Sequence, residues 1–158
     1  MRARRRGYTL IELLVVLAIL GLLATMAMPM AEMTVQRERE HELKRALWQI
    51  RDAIDAYKAA REQGAILGPL GSSGYPANLA ALLQATPDAR PDHKGEMLRF
   101  MREIPRDPFA DPALAPETSW GLRSYLSEAG DPRPGADVYD VHSKSDRVGL
   151  NGIPLAKW

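Results

Sequence analysis

Leu13 to Ala31 is a run of 19 residues without a charge, and its only hydroxyl is Thr25. A helix rises 1.5 Å per residue, so the run covers roughly 28 Å, close to the hydrocarbon core of a bilayer. In lipid every backbone polar group must be satisfied within the chain, which makes helix the only form open to a single span. Arg2, Arg4, Arg5 and Arg6 precede the run and Glu32 follows it. The positive flank keeps the amino terminus cytoplasmic and sends the remainder across the membrane. One residue does not fit a plain anchor. Glu12 lies at the start of the apolar stretch, where a carboxylate costs about 2 kcal/mol or less, against roughly 2.5–3.5 for a charge at the bilayer centre. An ionisable group at such a place is a functional candidate whose partner has to be found.

The segment has three readings. As a secretory signal it offers Thr25-Met26-Ala27 as a small-x-small cleavage site, although the apolar run exceeds the usual 7–15 residues of such signals. As a permanent anchor it needs no cleavage. The third reading turns on what Glu12 does. The whole chain has 158 residues, enough for one compact domain and this appendage. Its net charge is +1, which gives no support to nucleic-acid binding. Loss of the first seven residues, with their four arginines, takes that charge to −3. There is no cysteine, so disulfides, thiolate catalysis and cysteine-ligated zinc are excluded.

From Glu32 the composition turns charged. Leu43, Leu47, Ile50, Ile54 and Tyr57 recur at spacings of 4, 3, 4 and 3, an amphipathic helical stripe. Gly64 is a natural stop. The pattern predicts one long helix over residues 8–62, its first half in lipid or a filament core and its second half the spine of a domain. Asn78 is placed to cap a short helix beginning at Leu79, and a second short helix is expected over Gly95 to Glu103. Prolines 105, 108 and 112 mark turns. Trp120 to Leu126 and Asp137 to Ser143 alternate well enough to predict strands, giving an antiparallel sheet of two or three strands on the helix. The expected fold class is α+β. Trp48, Trp120 and Trp158 are expected to serve packing.

Gly7-Tyr8-Thr9-Leu10-Ile11-Glu12, set between arginines and an apolar helix, resembles the leader junction of type IV pilins and type II secretion pseudopilins. Tyr75-Pro76-x-x-Leu79, Ile104-Pro105-x-Asp107-Pro108, Trp120-Gly121 and the closing VYDVHSKSDRVGLNGIPLAKW are similar in order and spacing to the pseudopilin G family. The resemblance implies a pilin-like fold, with residues 1–7 a leader peptide, 8–31 a transmembrane and filament-core helix, and 32–158 a periplasmic globular domain. It implies that a prepilin peptidase cuts between Gly7 and Tyr8, that Tyr8 is then N-methylated, and that Glu12 pairs with the new ammonium of a neighbouring subunit. Pro29 falls where the family places a proline, and a bend is expected there. The implied role is a structural subunit of a type II secretion pseudopilus in the inner membrane. Its implied partners are further copies of itself, minor pseudopilins, an assembly platform and an ATPase. The alternatives are a type IV pilus subunit for adhesion or motility, or a secreted soluble enzyme or binding domain behind a conventional signal.

The resemblance also implies one calcium in the loop His142 to Gly152. Asp146 is the carboxylate there, and Ser143 and Asn151 offer further oxygens. Calcium takes six to eight oxygen ligands, while Lys144 and Arg147 leave the loop with a charge of +1. Weak or absent calcium binding is therefore expected, with no firm cofactor. For catalysis the sequence offers little. His41, His93 and His142 are far apart, and neither a nucleophile elbow nor a phosphate loop is present. The protein is not expected to be an enzyme.

Overall fold

The computed structural model describes residues 7–158, apart from the side chains of residues 26–29. The leader arginines therefore lie outside the described residues, as does the Pro29 side chain with its expected bend. The fold is α+β: one long helix, α1 (Leu10–Glu62), followed by short strands and 3-10 turns. The residues group into two compact units that divide between Glu38 and Arg39.

The first unit carries the opening part of α1. None of its large apolar side chains from Leu10 to Leu23 is less than 48% exposed. A core helix of a soluble protein would bury such residues, so this stretch has the composition and exposure of a segment that meets lipid or other chains. Its hydroxyls are satisfied internally. Thr25 donates to the carbonyl of Leu22 at 2.7 Å, and Thr34 to that of Met30 at 2.9 Å. Neither is left unpaired.

The second unit, Arg39 to Trp158, is built on the remainder of α1. Leu43, Leu47, Ile50 and Ile54 are buried, and Tyr57 packs beside them, as the 4-3-4-3 stripe requires. Leu79, Leu82, Ile104, Trp120, Val138, Val141 and Leu155 complete the core against that stripe. The buried Trp120 indole donates to the Pro105 carbonyl at 2.8 Å, which satisfies its polar edge. α1 ends in a Schellman motif. Gly64 takes a φ of 73°, its N–H bonds Arg61 O, and the Ala65 N–H reaches back to Ala60 O at 2.9 Å.

Asn78 caps a turn as expected, accepting from the Ala81 N–H at 3.0 Å, but the element Leu79–Leu82 is a 3-10 helix rather than an α-helix. The helix expected over Gly95 to Glu103 does not form. A 3-10 turn at Pro91–His93 leads instead to Gly95, whose φ of 91° no helix accommodates. The chain there forms an antiparallel pair, β1 (Thr86–Pro87) with β2 (Met97–Leu98). The amides of Phe100 and Met101 then bond the Leu82 carbonyl. The second pair is β3 (Trp120–Arg123) with β4 (Asp140–Ser143), in the register Trp120↔Ser143 and Gly121↔His142. Both strands are shorter than their alternation predicted. Asp137 explains part of the loss: its carboxylate accepts from the Ser124 hydroxyl and the Tyr125 amide, folding residues after Arg123 out of the ladder. The two pairs are separate sheets rather than one. Trp120 is buried and Trp158 packs at the core's edge, but Trp48 is 65% exposed and stands outside the core.

Candidate assembly and processing site

Gly7, Tyr8 and Thr9 precede the first helical residue, Leu10, and all three are exposed. The Gly7–Tyr8 peptide bond thus has main-chain groups exposed and outside the helical ladder. Gly7 presents no side chain, and a Cβ built on it meets nothing. Thr9 is the helix cap. Its hydroxyl accepts from the Glu12 N–H at 3.3 Å, and Glu12 Oε2 accepts from the Thr9 N–H at 3.4 Å. This reciprocal pair is a capping box, which satisfies two of the orphan donors at a helix start. Sequence reasoning identified Glu12 but missed Thr9. The signal was present as Thr-x-x-Glu ahead of an apolar run.

A carboxylate in the first turn also complements the positive end of the helix dipole. A chain cut after Gly7 would carry an ammonium at Tyr8, like charge against that same end. Glu12 is then the nearest countercharge on the chain. The Thr9 N–H survives such a cut, so capping and countercharge are compatible.

The residues named for calcium do not fit a calcium cage. The Ser143 hydroxyl is buried; it donates to Asp107 Oδ2 at 2.6 Å and accepts from the Ser145 N–H. Asp107 is itself fully buried, with Oδ1 accepting from the Phe109 N–H at 2.8 Å. Asn151 Oδ1 accepts from the Ile153 N–H at 3.0 Å, closing an Asx turn. Asp146 is exposed and has no hydrogen-bond or ion-pair partner among the described residues. Some of the carbonyls in and beside the loop are engaged as well: Arg147 O accepts from Leu155, Gly149 O from Gly152, and Ile153 O from Gly149. One exposed carboxylate beside two cations is a poor donor set for an ion that takes six to eight oxygens.

Among the described residues, Asp88, His93 and Glu96 bring ligand-type atoms together. Asp88 is already committed: both of its oxygens accept from the Arg90 guanidinium, and Oδ1 also accepts from the Arg90 N–H. The Arg90 side chain holds the Asp88 carboxyl down at about 2. The group is an ion-pair knot at the start of the β1–β2 connection. Asp137 is pushed up by burial, yet hydrogen bonds from Ser73, the Tyr125 amide and Ser124 outweigh that and leave it below the usual carboxylate range. His142, half-buried, is lowered by burial.

The family model for the prokaryotic N-terminal methylation motif matches residues 2–28. The type II secretion system core protein G of Klebsiella pneumoniae is 31% identical over 112 residues, 67% of this chain and 70% of that protein. The protein of the same name from Pseudomonas aeruginosa is 28% identical over 141 residues, 86% of this chain and 92% of that one. The type IV major fimbrial protein FimA of Dichelobacter nodosus is 29% identical over 103 residues, 61% of this chain and 60% of that protein. No solved structure matches the chain.

Proposed function

The chain belongs to the type II secretion system core protein G family, and from that we propose that it is a structural, non-catalytic subunit of a type II secretion pseudopilus, anchored in the inner membrane by the opening part of α1. The observation that carries this reading is the junction at Gly7 to Glu12. An exposed scissile bond, a capped helix start and a first-turn carboxylate stand directly before a stretch of unburied apolar side chains.

On this reading the positive flank holds residues 1–7 in the cytoplasm as a leader, residues 8–31 span the membrane, and residues 32–158 lie in the periplasm. A prepilin peptidase cuts between Gly7 and Tyr8, and methylation of Tyr8 keeps its ammonium charged. Inside a bundle of apolar helices an unpaired charge of either sign is expensive, so the Tyr8 ammonium and a neighbour's Glu12 fix the register of adjacent subunits. Growth of the resulting rod, driven by an ATPase through a membrane platform and begun by minor pseudopilins, moves exported proteins through the outer membrane. The similarity to a fimbrial protein supports a second reading, a subunit of a surface pilus with the same processing.

Mass spectrometry of the mature chain tests the processing. A methylated Tyr8 terminus is expected; a terminus at Met28 would mark a conventional signal and overturn the proposal. Deletion of the gene separates the two filament readings. Loss of exported proteins from the culture supernatant supports the pseudopilus, and loss of surface pili with normal export supports the pilus.

A further inference from the structure

We propose that this chain fastens its carboxy-terminal loop with charged side chains of α1, Glu40 and Arg51, and needs no calcium to do so. Glu40 is only 7% exposed, although it stands on a helix whose other charges mostly face solvent. A carboxylate withdrawn that far requires donors. Glu40 Oε1 accepts from the Leu150 N–H at 2.8 Å, at the tip of the loop. Three helical turns further on, Arg51 makes three bonds to the same end of the chain. Its Nε donates to Asp140 Oδ1 at 2.8 Å, and its Nη2 donates to Val141 O at 3.1 Å and Trp158 O at 2.8 Å. Lys44, one turn from Glu40, lies 4.5 Å from the centre of the Trp158 ring.

Between these anchors the loop closes on itself. Val148 pairs with Pro154, Gly149 bonds Ile153 O, and Leu155 bonds Arg147 O. The Trp158 indole donates to Ile153 O. Its ring rests where a Cβ on Gly149 would sit, at 2.5 Å. Lys144 donates to Thr118 O at 2.8 Å and ties the loop's other flank. A bound cation does three things for a loop: it gathers carbonyls, neutralises carboxylates and joins distant segments. Here the carbonyls of Arg147, Gly149 and Ile153 are held by amides, the carboxylates of Glu40 and Asp140 are met by an amide and a guanidinium, and the joining is done by α1. A positively charged loop has no carboxylate surplus for a cation to neutralise.

Hydrogen exchange on the full-length chain in detergent micelles reads this directly, with no filament required, so a failure here leaves the pseudopilus reading standing. Loop residues 143–153 should exchange at the same rate in excess chelator and in millimolar calcium chloride, with an unchanged melting temperature. Glu40→Ala should speed loop exchange about tenfold, and Glu40→Gln, which keeps the acceptor oxygen, should largely restore it. If Glu40→Ala does not fold, Arg51→Lys replaces it; that variant keeps the charge, loses the three-way contact, and should speed exchange at residues 140–143 and 158. Calcium that slows loop exchange and raises the melting temperature, with both effects lost in Asp146→Ala, would overturn the proposal. So would a folded Glu40→Ala protein whose loop exchanges at the wild-type rate.

Discussion

At the scale of single residues, Glu12 caps its own helix, and one substitution separates that role from the proposed pairing with a neighbour's ammonium. Glutamine serves a capping box as well as glutamate does, because the box needs only an acceptor. Glu12→Gln should therefore leave the helix start intact by circular dichroism and exchange, while removing the charge on which the proposed pairing with a neighbour's ammonium rests. Filament yield should fall by at least about tenfold, since stranding one member of a desolvated pair costs about 3–5 kcal/mol. Wild-type yield from that variant would show the carboxylate to be a cap and nothing more. Asp88 gives a second test at this scale. Its folded value of about 2 lies below the roughly 3.9 of an unfolded aspartate. Its contribution to stability is therefore complete above about pH 4 and is lost as pH falls toward about 2. Urea midpoints of the wild type should exceed those of Asp88→Asn by a constant margin above pH 4, and that margin should close toward pH 2. A margin independent of pH would remove the charge from the account.

At the scale of elements, the β3–β4 pair depends on an absence. Gly121 faces His142 across the ladder, and a Cβ at position 121 would come within 2.2 Å of His142 Nε2. The imidazole covers the glycine, an arrangement that packs a ring where a side chain is missing. Gly121→Val gains some strand propensity, worth less than about 1 kcal/mol, but forces the ring out. The net effect should be a loss of about 1–3 kcal/mol in thermal or urea unfolding. Adding His142→Ala should recover part of that loss, because the two positions share one space. Additive losses in the double variant would mean that the ring and the glycine do not compete.

At the scale of the whole molecule, the sequence carried the helical part of the fold further than the strands. The 4-3-4-3 stripe on α1 placed four core residues and Tyr57 beside them, because a long periodic pattern has one best face. The cap at Asn78 and the helix end at Gly64 were equally readable, since each rests on one local residue with one local job. The short pairs were not. β1 and β2 have two residues each, too few for alternation to register, and Gly95 had to be read as a breaker rather than a member of a helix. The site divided in the same way. The junction motif at Gly7 to Glu12 is contiguous and could be read. Glu40 and Leu150 are 110 residues apart, and nothing local to either announces that they meet.

The bond to Thr9 uses Oε2 of Glu12 alone, and Oε1 has no partner among the described residues. One lobe of the carboxylate looks inward to its own backbone while its twin stays vacant. On the proposed assembly, an incoming subunit's ammonium takes the vacant lobe before the other lets go, so docking need not pass through a frayed helix tip.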